Sequence, residues 1–126
     1  MKVLVCGSRN WLNYEAIHRE LSRLPPGRET TIVHGGCPTG ADNLADRIAR
    51  KLGFEVRVYP ADWDRDGRGA GPIRNAQMIR AEHPDKDGVI FDFGLAFTLN
   101  MSQSRGTKDC TARARQAGIK VEVFSL

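Results

Sequence analysis

Short apolar runs and amphipathic stretches of helical period alternate along this chain, and few architectures accommodate that alternation. Lys2 to Cys6 is an apolar run halted by Gly7, as a buried parallel strand is. Tyr14, Ile17, Leu21 and Leu24 recur at helical spacing before Pro25-Pro26-Gly27 ends the helix. Residues 30–33 are rich in β-branched side chains and read as a second strand. Over residues 41–52, Ala41, Leu44, Ala45, Ile48, Ala49 and Leu52 form one apolar stripe, and Gly53 supplies the stop. Residues 54–59 alternate as a third strand, and 60–71 form a loop rich in Asp, Arg and Gly. Pro72 is placed at the first position of a helix running to residue 81, where a missing amide costs nothing. Residues 88–91 read as a fourth strand, and 92–103 as its extension into a loop or a small hairpin. A helix over 106–117, closed by Gly118, and a strand over 120–124 complete the pattern. Such alternation requires right-handed crossovers. It predicts a Rossmann-like three-layer α/β sandwich, a mainly parallel sheet of about five strands with helices on both faces. The 126 residues form a single domain, 1–126, with no internal repeat or linker.

Composition narrows the function classes. No apolar run approaches a membrane span, and the opening apolar run is too short for a signal peptide, so the expected compartment is the cytoplasm. Cys6, Cys37 and Cys110 are an odd number without CxxC spacing, which indicates neither a disulfide framework nor a metal site. They read as reduced thiols, with a reactive thiol near the ligand as the alternative. A net charge of +4 suits an anionic ligand. The basic residues are scattered and no aromatic pattern accompanies them, so nucleic acid is a secondary expectation.

Four segments place glycine, hydroxyl and cationic residues where strands give way to helices: 6–10, 34–42, 71–75 and 104–109. In a parallel sheet those ends gather in one crevice, where helix N-termini and bare amides hold anions. In the first, Gly7 admits close backbone approach while Ser8 and Arg9 offer a hydroxyl and a bidentate cation. In the second, Gly35 and Gly36 precede Thr39, Gly40 and Asp42 at the start of the best helix. Thr39 either caps that helix or binds an anion, and Asp42 either complements the helix dipole or accepts hydrogen bonds from a ribose or an amine. The third delivers Arg74 and Asn75 on a helix's first turn, after a loop holding Asp62 and Trp63. Trp63 reads as packing or as a base-stacking face. The fourth supplies Arg105, Gly106 and Thr107. The dinucleotide fingerprint GxGxxG and the P-loop are both absent, which disfavours a typical NAD enzyme or P-loop NTPase, and no cofactor is called for.

Taken in order, these segments resemble the SLOG superfamily, which includes the Smf/DprA DNA-processing proteins and the LOG (Lonely Guy) cytokinin-activating enzymes. They are most similar to its small stand-alone YspA-like branch of bacteria and phages. The matching residues are Gly7-Ser8-Arg9 with Trp11, His34-Gly35-Gly36 with Gly40-Ala41-Asp42 and Ala45, and Pro60 with Asp62-Trp63. Gly67, Ala70-Gly71, Arg74-Asn75, Met78 and Gly106-Thr107, with Arg113, Ala114, Ala117 and Gly118, continue the match. The resemblance implies a nucleotide or nucleotide-derived ligand at the strand C-termini, and relatives often form homo-oligomers. In the LOG enzymes an arginine and a glutamate cleave the N-glycosidic bond of a nucleoside monophosphate. Arg74 stands at the arginine's place, but Cys110 stands at the glutamate's, with Asp109 one residue early. One residue turns a helical side chain by about 100°.

The leading expectation is therefore a domain that binds or senses a nucleotide-derived small molecule. The ligand-binding set is Gly7, Ser8, Arg9, Gly35, Gly36, Thr39, Gly40, Asp42, Asp62, Trp63, Arg74, Asn75, Arg105, Gly106 and Thr107. A LOG-type phosphoribohydrolase, with Arg74, Asp42 and Asp109 as catalytic candidates, is the second. Single-stranded DNA binding in the manner of DprA is the third. The apolar stretch 91–101 is the expected patch for self-association.

Overall fold

Successive residues of the first strand point to opposite faces of a sheet, and its sequence is apolar on both. Val3 and Val5 pack into one core cluster and Leu4 and Cys6 into another. The computed structural model describes residues 1–82 and 91–125. Five strands, β1 (Lys2–Gly7), β2 (Thr31–His34), β3 (Glu55–Val58), β4 (Phe93–Phe97) and β5 (Val121–Phe124), form one sheet in the order β3-β2-β1-β4-β5. All four pairings are parallel. Helices α1 (Tyr14–Leu21) and α2 (Ala41–Lys51) cover one face through Ile17, Leu21, Ala45 and Ile48. Helices α4 (Ala70–Glu82) and α5 (Arg105–Gln116) cover the other through Met78, Ile79, Cys110 and Ala114. The short α3 (Trp63–Asp66) and a 3₁₀ turn over Gly67–Gly69 lead directly into α4. The chain is thus a Rossmann-like α/β sandwich.

Several boundaries differ from the sequence reading. The strand expected over 88–91 lies, except for Phe91, outside the described residues; Phe91 is not in a strand, and β4 occupies Phe93–Phe97. Gly94, which reads as a breaker, is accommodated because β4 is a central strand, with its backbone paired to β1 and β5. That placement also removes most of the apolar stretch 91–101 from the surface. Phe91, Leu95, Ala96 and Phe97 are buried, and only Leu99 of its apolar residues is exposed. The loop over 60–71 contains α3, and α4 starts two residues before Pro72, which still falls among the amides that a first turn leaves unpaired. Arg74 and Asn75 consequently lie in the second turn of α4, so the opposing helix dipole does not explain the arginine.

Strand order fixes where the chain changes direction. From β1 it proceeds outward to β2 and β3, then crosses back to β4 and β5. The crevice beyond the carboxyl ends of β1 and β4 is therefore the topological switch point, where open α/β sheets hold their ligands.

Candidate functional site

A cavity of about 1180 Å³ opens at those strand ends. Its wall takes residues from all four of the segments singled out in the sequence. Among the described residues, the charged ones lining it are Arg9, Arg68, Arg74, Arg105 and Asp42. None of the five forms an ion pair with a described residue, whereas the described residues elsewhere form nine such pairs, Arg50–Asp46 and Arg113–Asp109 among them.

Glycines here make room for neighbouring loops. Gly40, at φ +76°, is the N-cap of α2, and a Cβ on it would run into the backbone of Ser8 and Arg9. The Ser8 carbonyl accepts from the Ala41 amide at 3.1 Å, and the Thr39 hydroxyl donates to the Arg9 carbonyl at 2.9 Å. Thr39 therefore ties the first loop to the second and does not cap α2. A Cβ on Gly35 would occupy the space of the Arg74 guanidinium. That guanidinium donates through Nη1 to the carbonyls of Gly35 and Tyr59, and through Nε to Asn75 Oδ1 at 2.8 Å. Arg74 thus clamps the ends of β2 and β3 to α4 while leaving Nη2 without a described partner.

Asp42 is buried on the cavity wall, with Oδ2 accepting from the Cys37 amide at 3.2 Å. Burial pushes its carboxyl above the ordinary range, and His34, the Cys37 amide, Arg74 and the Gly35 amide offset only part of that. His34 is fully committed: Nδ1 accepts from the Gly36 amide at 3.0 Å, which places the ring proton on Nε2, 2.7 Å from Asp46 Oδ2. The pair holds the Gly35-Gly36 turn in place, with neither ring nitrogen free for chemistry.

Other candidates are spent on structure. Asn75 is buried and brackets α4 to α5, donating to the Gly106 carbonyl at 3.3 Å and to Asp109 at 3.0 Å. Asp109 also accepts from Arg113 at 2.9 Å and lies off the cavity wall. Asp62 caps α3, accepting from the Arg65 amide at 3.0 Å, and likewise lies off the wall. Cys110 is core and its thiol is pushed well up by a hydrogen bond with Cys6 and by burial, so it is protonated at neutral pH and a poor nucleophile.

The start of α5 is different. Its N-cap is Ser104, whose side chain makes no capping bond. The Ser104 hydroxyl instead joins Ser8 and Thr98 in a closed triangle with sides of 2.9, 2.7 and 2.8 Å. Three hydroxyls in a ring use all three protons among themselves, so Ser8 has none left for a ligand while the ring is intact. The ring seals the β1–β4 junction and leaves the first-turn amides of α5 open. Thr107 is only 4% exposed, lines the cavity, and makes no side-chain hydrogen bond to a described residue. Neither Arg68, on the wall, nor Thr98, behind it in the hydroxyl ring, stood out in the sequence. Thr98 follows a strand that the sequence placed earlier, and Arg68 sits in a glycine-spaced loop without periodicity.

Among known proteins, the sequence model of the YspA, cpYpsA-related SLOG family matches residues 1–65. Gene 61 protein of Mycobacterium phage D29 is 41% identical over 132 residues, covering 98% of this chain and 95% of the phage protein. The chain belongs to the YspA, cpYpsA-related SLOG family. Membership points to a nucleotide-related role for this SLOG domain. The matched residues contain the Gly7–Arg9 and Gly35–Asp42 turns and Trp63, while Arg74 and the α5 start lie in the part shared with the phage relative.

Proposed function

We propose that this SLOG domain binds or senses a phosphorylated, nucleotide-derived ligand in the cavity at the β1–β4 switch point. The observation that carries the reading is the unpaired charge of the wall: among the described residues, four arginines and one buried acid, none in an ion pair. Arginines without a carboxylate partner in a concave site suit phosphate oxygens, which accept bidentate hydrogen bonds. The open amides of α5, with Thr107 beside them and Arg105 at the rim, supply the anion pole. Calorimetry checks this. AMP or ADP binds more tightly than adenosine, and equal affinities overturn the reading.

Hydrolysis of the N-glycosidic bond is a second reading, supported by Asp42 as the one acid among the described residues of the wall. Asp109 is tied to Asn75 and Arg113 and offers that chemistry little. Release of free adenine from AMP, abolished by Asp42→Asn, distinguishes catalysis from binding alone.

A further inference from the structure

Among the described residues, Trp63 is the only aromatic side chain lining the cavity. It is 49% exposed, whereas Trp11 is 1% exposed and packs against Phe97. A half-exposed indole on a cavity wall is not explained by core packing. Its backbone is fixed, because it opens α3 beneath the Asp62 cap. Its ring edge faces α4 at Gly71, where an added Cβ would stand 3.7 Å from Cη2. The guanidinium carbon of Arg9 lies 5.4 Å from the ring centroid. Arg9 makes no side-chain hydrogen bond or ion pair with any described residue, so the indole is the partner that holds it.

The position of this pair relative to the α5 start bears on what the ligand carries. Trp63 follows β3 and Thr107 follows β4, and the sheet order puts β2 and β1 between those strands. Trp63 and the α5 start thus belong to segments that follow different strands, an arrangement that suits a ligand carrying both a heterocycle and a phosphate.

Resting on the reading that the α5 start takes the phosphate, we infer that Trp63 is the stacking platform for the ligand's planar heterocycle, with Arg9 leaving the indole on binding and turning to the phosphate. Stacking of a base on an indole is stronger than an exposed cation–π contact, so the exchange is downhill. The displaced guanidinium gains a charged partner that it lacks in the free protein.

The experiment compares AMP with ribose-5-phosphate by calorimetry on the unmodified protein and on Trp63→Ala and Trp63→Phe. The readout is the ratio of the two affinities. Unmodified protein prefers AMP, Trp63→Ala lowers that preference about tenfold, and Trp63→Phe restores most of it. Addition of AMP also changes the tryptophan emission, and Trp63→Phe removes the change. A preference that survives Trp63→Ala overturns the platform and leaves the phosphate site standing. Failure of both probes to bind the unmodified protein overturns the phosphate site and the platform with it.

Discussion

Charged side chains cluster at both ends of this sheet, and the two clusters are built on opposite terms. At the start of β1, Lys2, Arg57 and Tyr59 converge on Glu82 at the end of α4. The Lys2 and Arg57 contacts are 2.8 and 2.7 Å, and the Tyr59 hydroxyl donates to the other carboxylate oxygen. Burial would raise the Glu82 pKa, but these bonds hold its carboxyl below the ordinary range, while burial and then the bond to Glu82 push Tyr59 up to about 12. Beyond the carboxyl ends of the strands, four arginines and Asp42 share a cavity without pairing to described residues, and Asp42 is pushed up. The closed cluster stabilises the fold, and the open one keeps its charges for a partner. A buried charge with its partner in place is tolerable, and one without is a standing cost. That difference separates a structural ion network from a binding site within one sheet.

The comparison breaks most sharply at Glu82. Glu82→Ala removes the carboxylate from buried Lys2 and should cost about 3–5 kcal/mol in denaturant unfolding, with AMP affinity little changed in protein that remains folded. The same group sets an acid limb. Because its folded pKa is lowered, its contribution is full above the unfolded carboxylate pKa and is lost as pH falls through the folded value. A pH series on Glu82→Gln should flatten that limb.

Arg105→Ala tests the open cluster from the other side. Loss of a charge-assisted phosphate contact should weaken AMP binding by about 1.5–3 kcal/mol, with unfolding unchanged. A loss of stability without a loss of affinity would move Arg105 into the structural class.

Asp42→Asn should do what no substitution in the closed cluster can: stabilise the folded protein, by about 0.5–2 kcal/mol at neutral pH, while impairing the ligand response. The sign follows from the raised pKa. The penalty is absent below the unfolded carboxylate pKa and grows as pH rises through the folded one, so the gain should vanish in acid. A destabilised Asp42→Asn would mean that the acid is structural. Arg50→Ala supplies the smallest effect. Arg50 is exposed and pairs with Asp46 on the polar face of α2, and no measurable change in AMP affinity is expected.

Much of this was legible in the sequence because it is periodic or stereochemical. The stripe over 41–52 can face only one way and became α2, ended by Gly53 at φ +80°. Gly40 and Gly118, also at positive φ, stand where a side chain would be strained. β4 lies in the stretch 92–103 that the sequence leaves open, because Gly94 lowers strand propensity locally and pairing with two neighbours overrides that. Arg74 shows the same limit at the site. Its charge and its place near the crevice were readable, but its clamp on the carbonyls of Gly35 and Tyr59 depends on residues 39 and 15 positions away.

Composition and spacing alone determined the layer architecture, the order of elements and the gathering of glycine-rich turns at one sheet edge, because local propensity and hydrophobic period act over a few residues. Which charges are paired was decided only by tertiary structure. Lys2 finds Glu82 across 80 residues. The Ser8–Thr98–Ser104 ring spans 96, and Asp42 acquires its raised pKa from burial by elements elsewhere in the chain. Desolvation and hydrogen-bond closure are properties of the packed interior, and one-dimensional order carries no record of them until the chain has folded.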